Sequence, residues 1–245
     1  MSDRTGIGWT QATWNPVTGC SKVSPGCAHC YAETLALTRL AGKPGYPGLP
    51  WTPENAEANV VLHPDRLDQP LRWRKPRRVF VNSMSDLFHE RVPDEFIAAV
   101  FDVMKRADWH TFQVLTKRPE RMSEWIGGTG IWPAPNIWRG TSIESDRYVG
   151  RADHLRETPA AVRFISAEPL LGPLPSLDLR GIDWLIVGGE SGKGWRWMDP
   201  AWVRELVERA DAAGIAVFVK QSSGRLSGKQ GNLPDDLWAR KEYPS

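Results

Sequence analysis

Residues 182–223, IDWLIVGGESGKGWRWMDPAWVRELVERADAAGIAVFVKQSS, contain one complete strand–helix–strand unit. The runs WLIV and AVFV are continuously apolar, as in strands that are buried on both faces of a parallel sheet. Between them, residues 199–214 place apolar side chains at helical spacing, begin with Asp and Pro, and end on Gly. The segment therefore predicts two parallel strands joined by a crossover helix.

The same alternation extends toward the N-terminus. Short β-branched and aromatic runs, each apolar at its start and polar at its end, recur at residues 78–86, 111–119, 136–145, 162–170, 182–191 and 215–223. Residues 28–40 and 93–107 have the character of helices. A chain of 245 residues with 41% hydrophobic content can bury one large core, so we predict a single α/β domain over residues 1–245.

Residues 41–77 interrupt this alternation and predict a long surface insertion. A connection of this length inside a compact domain is usually a lid, a binding element or a disordered segment. The segment holds no low-complexity tract, and we therefore interpret it as an excursion from the barrel.

Composition limits the classes of protein to which the chain can belong. No apolar run approaches the ~18–20 residues of a membrane span, and residues 1–11 lack the basic and then apolar pattern of a signal peptide. We therefore expect a cytoplasmic protein without a membrane partner. A formal net charge of +2 leaves a nucleic-acid partner open without arguing for one.

All three cysteines of the chain, Cys20, Cys27 and Cys30, lie close together in a C-x6-C-x2-C arrangement. An odd number of thiols in a reducing compartment indicates a metal, a cluster or a nucleophile rather than a disulfide framework. A [4Fe-4S] cluster held by three cysteines leaves one iron open for a substrate or cofactor, which would explain the absence of a fourth thiol. Two alternatives remain open: three unligated cysteines, and a zinc site whose fourth ligand is His29, His63 or His89.

Polar residues follow the predicted strands one after another. Because parallel α/β folds place their chemistry at the carboxyl edge of the sheet, we expect these residues to surround one site. They are Ser83, Ser85, Asp86, Lys117, Ser142, Glu144, Glu168, Gly188, Gly189, Glu190, Lys220 and Gln221.

Five segments together resemble the phage Gp37/Gp68-type family of uncharacterised proteins, and the resemblance spans nearly the whole chain. They are WNPVTGCSKVSPGCAHCYAE (14–33), VFVNSMSDLFHE (79–90), FISAEPLLGPL (164–174), DWLIVGGESG (183–192) and VFVKQ (217–221). The cysteine triplet, placed after a first strand and before a first helix, also resembles radical S-adenosylmethionine (SAM) enzymes. Their usual motif is C-x3-C-x2-C, so the second gap agrees and the first is longer. An aromatic residue usually precedes their third cysteine, and His29 stands there in this chain.

This resemblance implies a fold and a chemistry. The fold would be a partial (β/α) barrel of about six to seven parallel strands, related to the TIM barrel. Cys20, Cys27 and Cys30 would bind three irons of a [4Fe-4S] cluster, and the amino and carboxylate groups of SAM would chelate the fourth. An electron from a donor of the flavodoxin or ferredoxin type would cleave SAM to a 5′-deoxyadenosyl radical, which takes hydrogen from a substrate.

The SAM contacts are assigned by chemistry, because the Gly-Gly-Glu motif that follows the second strand in radical SAM enzymes occurs here only at residues 188–190. We expect Ser83, Ser85 or Asp86 to meet the amino group and Lys117 to pair with the carboxylate. Ser142 and Glu144 suit ribose hydroxyls, and Gly188 and Gly189 would let backbone approach adenine or substrate. Glu168 and Glu190 complete the candidate set.

Aromatic and basic residues make a nucleic acid or nucleotide a candidate substrate. Single-strand-binding proteins stack bases on aromatic rings, and the chain has 13 tryptophans, although we predict that most of them fill the core. The basic run RWRKPRR at residues 72–78 directly precedes a predicted strand and should lie at the amino edge of the sheet. The alternative function is a zinc-stabilised nucleic-acid-binding protein without catalysis.

Overall fold

The computed structural model describes residues 5–130 and 134–244. The strands are β1 (Ala12–Trp14), β2 (Val17–Thr18), β3 (Val61–Leu62), β4 (Arg78–Val81), β5 (Thr111–Thr116), β6 (Ile137–Ser142), β7 (Arg163–Ala167), β8 (Trp184–Gly188) and β9 (Ala216–Gln221). Seven of them form one parallel sheet in the order β1-β4-β5-β6-β7-β8-β9, and the other two form a small antiparallel pair. The sheet curls into a half-barrel whose edge strands are β1 and β9, which confirms the predicted α/β partial barrel.

Helices connect most of the neighbouring strands. They are α1 (Tyr31–Leu37), α2 (Ala56–Asn59), α3 (Asp94–Arg106), α4 (Pro119–Thr129), α5 (Arg151–Glu157), α6 (Pro200–Ala212) and α7 (Asp235–Trp238). The predicted helices at 93–107 and 199–214 occur as α3 and α6, whereas the helix predicted at 28–40 is reduced to α1. Within the two described stretches of chain, no helix has the length and apolar character needed to cross a membrane.

All six predicted strands occur, but each ends before its predicted boundary. The polar residues that follow Val81, Thr116 and Ala167 are turns and loops beyond the sheet. These residues leave the hydrogen-bonded ladder at the carboxyl edge, so their side chains surround the open end of the half-barrel.

Two apolar layers form because successive residues of a strand point to opposite faces of the sheet. The outer layer packs the strands against the helices, as Val79 and Val81 do with Ile97 and Phe101. The inner layer fills the amino end of the half-barrel, and we call it the aromatic floor. It comprises Trp9, Phe80, Phe164, Trp184, Ile186 and Phe218.

Most residues of the insertion at 41–77 are exposed or half-buried, and a few of them are buried against the body of the protein. Trp51 and Ala56 are buried, and β3 pairs with β2, which lies directly before the cysteines. Gly19 has a φ of +80°, and a Cβ there would lie 1.8 Å from the carbonyl oxygen of Asn59. The apolar side chains of the insertion bring it against the chain that leads to Cys20, so it braces that segment.

Candidate functional site

A cavity of about 220 Å³ opens at the carboxyl edge of the sheet. Cys20, Cys27 and Cys30 all line it, their thiols are free, and each residue is half-buried. The segments that follow β4, β5, β7 and β8 line the same cavity, as does the end of β9 at Gln221. The sheet therefore gathers residues from nearly the whole chain around the three thiols.

The structure brings most of the predicted SAM contacts to this cavity. Eight of the ten candidates line it: Ser83, Ser85, Asp86, Lys117, Ser142, Glu168, Gly189 and Glu190. Glu144 does not line the cavity. It is fully buried, forms an ion pair with Arg151 at 2.9 Å and accepts a hydrogen bond from the Gly26 amide at 3.4 Å. Glu144 thus supports the cysteine segment, and its position does not favour the ribose contact that we expected.

Asp86 holds two strand ends together. Its carboxylate accepts the Thr116 hydroxyl at 2.7 Å and the backbone amides of Phe88 and Lys117 at 3.0 Å each. The fourth donor is the Arg118 guanidinium at 3.3 Å. A carboxylate has about four acceptor positions, and the protein itself fills those of Asp86. The structure therefore favours a positioning role for Asp86 over the predicted contact with the SAM amino group.

Arg118 is a cation in contact with Cys20 that was not among the predicted site residues. Its Nη1 lies 3.6 Å from the Cys20 Sγ, and its Nη2 donates to the Ser21 hydroxyl at 3.1 Å. Burial, reinforced by the charge of Asp86, raises the pKa of the Cys20 thiol to about 12, although Arg118 acts in the opposite direction. The available signal was its place beside Lys117 and before Pro119, at the point where β5 ends and α4 begins.

Glu190 fastens the cysteine segment to the end of β8. Its carboxylate accepts hydrogen bonds from the His29 Nδ1 at 3.0 Å and from the backbone amide and Nε of Arg196, each at 2.9 Å. Arg196 in turn donates to the carbonyl of Pro25 at 3.0 Å. Burial opposes ionisation of Glu190, but the hydrogen bonds from Arg196 and His29 lower the pKa of its carboxyl below the ordinary value. The Gly-Gly-Glu acid therefore positions the loop that carries the thiols.

Two lysines at the cavity differ in their pairing. Lys220 lies 2.9 Å from the Glu168 carboxylate, which also accepts the Ser166 hydroxyl and the Trp9 indole N–H. Lys117 forms no ion pair with any residue in the described part of the chain. Burial raises the pKa of the Cys30 thiol, and the charge of Lys117 is among the groups that oppose this rise. Lys117 is thus a cation at the cavity that a bound anion could neutralise.

Gly188 and Gly189 make room for the protein itself. A Cβ on Gly188 would lie 2.6 Å from the Glu168 carboxylate, and one on Gly189 would lie 2.2 Å from the backbone nitrogen of Ser223. Both distances are shorter than carbon tolerates, so these glycines allow close packing within the protein rather than the predicted approach of backbone to adenine.

The residues at the cavity fit the donor set of an iron–sulfur cluster, since three thiols share one space with the cations of Lys117 and Arg118. Of the three histidines predicted as zinc ligands, His29 lines the cavity. His63 instead contacts the Thr18 hydroxyl, and His89 contacts the Ser21 hydroxyl. Across residues 5–130 and 134–244, no group of three or more His, Cys, Asp or Glu side chains is arranged to hold a single metal ion.

Comparison with known proteins places the chain in a family. No curated protein and no solved structure matches it. A family described as "Protein of unknown function (DUF5131)" matches residues 4–233, which is nearly the whole chain and includes all three cysteines and every strand of the half-barrel. The chain therefore belongs to the DUF5131 family of uncharacterised proteins.

Proposed function

We propose that the protein is a radical SAM enzyme, in which Cys20, Cys27 and Cys30 hold a [4Fe-4S] cluster whose fourth iron binds SAM. The observation that carries the proposal is the meeting of the three thiols in one cavity at the carboxyl edge of a parallel half-barrel. When bound, such a cluster supplies the electron that cleaves SAM to methionine and a 5′-deoxyadenosyl radical, provided that a low-potential donor of the flavodoxin or ferredoxin type reduces it. The relation to phage Gp37/Gp68-type proteins is part of the same proposal.

The residues of the chain have three tasks in this scheme. Arg118 and Lys117 offset the negative charge that three thiolates bring into a partly buried site. Asp86 and Glu190 hold Arg118 and the cysteine segment in place. Lys117 is the candidate partner for the SAM carboxylate, because its ammonium forms no ion pair with a described residue and lines the cavity. Ser83 and Ser85 are the candidates for the SAM amino group.

Anaerobic reconstitution tests the proposal. We expect a brown protein that absorbs at about 400 nm, contains iron and sulfide, and forms 5′-deoxyadenosine from SAM after reduction by dithionite. Alanine variants of each cysteine should lose most of the iron and all of the 5′-deoxyadenosine. If all three variants kept the iron and the visible spectrum, the cysteines would not be the ligands. If the wild type held a cluster and formed no 5′-deoxyadenosine, the protein would be an iron–sulfur protein without radical SAM chemistry.

One observation favours the zinc alternative. Zinc-bound histidines commonly donate their second ring nitrogen to a carboxylate, and the His29 Nδ1 lies 3.0 Å from Glu190. Its Nε2 could then join the thiols as a fourth ligand. Metal analysis separates the two functions. A colourless wild type that contains one equivalent of zinc, together with a His29→Ala variant that lacks it, would support the zinc site and contradict the cluster.

A further inference from the structure

Three loops surround the open end of the half-barrel, and we call them the mouth loops. They comprise residues 20–31, 191–198 and 222–233. The first is joined to the second by the Arg196 guanidinium, which donates to the carbonyl of Pro25 at 3.0 Å. Glu190, directly before the second loop, accepts hydrogen bonds from both His29 and Arg196. The second is joined to the third by the amide of Met198, which donates to the Ser223 hydroxyl at 2.9 Å. The mouth loops therefore form one continuous surface above the cavity.

The mouth loops carry charge of one sign. They contain five Lys and Arg residues and no Asp or Glu, in a chain whose 31 basic and 29 acidic residues nearly balance. The five are Lys22, Lys193, Arg196, Arg225 and Lys229. Lys22 pairs with Glu33 at 2.8 Å and Arg196 pairs with Glu190, both acids lying just outside the loops. Lys193, Arg225 and Lys229 are exposed, and none of them forms an ion pair within the described ranges. The surface is thus positive by segregation of charge, although the protein as a whole is nearly neutral.

The same loops expose large apolar side chains. The described residues include seven large hydrophobic side chains that are exposed, and five of these belong to the mouth loops: Val23, Tyr31, Trp195, Trp197 and Leu226. Trp197 is 53% exposed and Trp195 is 39% exposed, and cations alternate with both in the sequence KGWRW at residues 193–197. Positive charge and exposed rings are therefore interleaved beside the cavity.

The other basic run of the chain differs. Within residues 72–78, Arg72 pairs with Asp68 at 2.6 Å, and the guanidinium groups of Arg77 and Arg78 lie over the rings of Trp73 and Tyr243. Arg78 begins β4, so the run lies at the amino edge, opposite the cavity. Its charges largely serve contacts within the protein.

We infer that the mouth loops bind a single-stranded nucleic acid and present one of its nucleotides to the cavity. Lysine and arginine bind the phosphates of such a strand, and exposed indole and phenol rings stack on its unpaired bases. An acidic protein would satisfy the charges but would not supply planar groups that stack on the exposed rings of Trp195 and Trp197. The Trp197 ring contacts Trp202 edge to face at 5.9 Å between centroids and is still 53% exposed. The inference rests on the proposed function where it names the substrate class, whereas binding of the strand requires no SAM cleavage.

Binding of a fluorescent single-stranded oligonucleotide of about 12 nucleotides, measured by anisotropy on the purified full-length protein, tests the inference. We expect the Lys193→Gln/Arg225→Gln variant to bind about tenfold more weakly. The slope of the logarithm of affinity against the logarithm of salt concentration should also become less negative, by about 0.7 for each lost phosphate contact. The matched control is Arg74→Gln/Lys75→Gln, which removes the same charge from the amino edge and should bind within about twofold of wild type.

Trp197→Ala examines the rings separately from the charges. It should weaken binding about fivefold or more and leave the salt dependence unchanged, because base stacking involves no counterion release. A strand of the same length without bases should bind more weakly than the intact strand. A duplex of the same sequence should also bind more weakly than the intact single strand.

Three results would overturn the inference: no binding by wild type, equal losses for the two double variants, or equal affinity for the baseless and intact strands. A protein that binds the strand and fails to form 5′-deoxyadenosine would refute the proposed function and retain the nucleic-acid site. A protein that cleaves SAM and does not bind the strand would support the proposed function and refute the nucleic-acid site.

Discussion

The two ends of the half-barrel interior are built from the same strands and differ in polarity, in charge and in how closely their side chains fill the space. At the amino end, the rings of the aromatic floor pack against one another. Trp184 contacts Trp9, Trp138 and Phe218 edge to face and Phe164 in a tilted arrangement. At the carboxyl end, thiols, carboxylates and cations surround a cavity. Position along a strand, rather than the choice of strand, separates packing from chemistry.

Trp9 connects the two regions. Its ring packs against Phe80 with 4.7 Å between centroids, while its indole N–H donates to Glu168 at 3.2 Å. The floor thus closes the interior and fixes a carboxylate of the cavity above it. The comparison teaches that the site is held from two directions, by an apolar base and by a network of paired charges.

The largest expected effect on stability lies in the floor. Trp184→Ala removes a fully buried ring and leaves a cavity, and it should lower the free energy of unfolding by about 4 kcal/mol. Trp109→Ala is the control, because Trp109 is 39% exposed on the outer surface, and this change should cost less than about 1.5 kcal/mol. Urea denaturation measures both. Similar losses in the two variants would contradict the assignment of the floor as the main support of the interior.

The second effect concerns the paired charges of the cavity. Asp86→Asn leaves Arg118 without its nearly buried partner and should lower the free energy of unfolding by about 3 kcal/mol. Asp102→Asn breaks the exposed pair with Arg106 and should cost less than about 0.5 kcal/mol. If Asp86→Asn were as harmless as its control, Asp86 would be available to a ligand instead.

The third effect depends on pH and arises from His89, beside the cysteine segment. The Arg91 amide donates to its Nδ1, so the neutral ring donates from Nε2 to Ser21. Burial, and then the charge of Arg118, lowers the pKa of His89 from 6.5 to about 4. Well above pH 6.5 the ring is neutral in the folded and unfolded chains. As the pH falls toward about 4, the unfolded chain binds a proton first, and stability declines across that window.

A His89→Gln variant measures this contribution, because its amide can accept from Arg91 and donate to Ser21. Between about pH 7 and pH 5, wild type should lose about 1 to 2 kcal/mol more stability than the variant. Parallel stability profiles for the two proteins would show that His89 titrates normally.

The smallest effect on stability accompanies a loss of binding. Lys117→Gln removes a cation that forms no ion pair with a described residue, so the free energy of unfolding should change by less than about 0.5 kcal/mol. SAM should bind about tenfold more weakly to the reconstituted protein, as equilibrium dialysis can measure. In the comparison variant Lys220→Gln, Glu168 loses its charged partner and stability should fall measurably. Unchanged SAM affinity in Lys117→Gln would remove Lys117 from the binding site.

Much of the fold followed from local pattern. Continuous apolar runs with polar ends predicted six strands of the sheet, because a strand buried on both faces must be apolar along its length. The alternation predicted helices between the strands, but it gave no bounds for α4 and α5, since α4 contains Gly127 and Gly128 and α5 has only seven residues. The contacts of the insertion were not predicted either, because they bring Trp51 to Glu33 and Asn59 to Gly19, residues that are distant in the chain.

The three thiols, their spacing and the set of polar strand ends can be read from the amino-acid sequence, because these are properties of residue type and order. Which polar residues are still available to a ligand depends on how the chain folds. Asp86, Glu144 and Glu190 have carboxylates whose partners come from elements far away in the chain or across a turn, and Lys117 keeps an ammonium without such a partner in the described residues. Hydrogen-bond capacity is filled through space, so residue order alone cannot distinguish a positioning acid from a binding one.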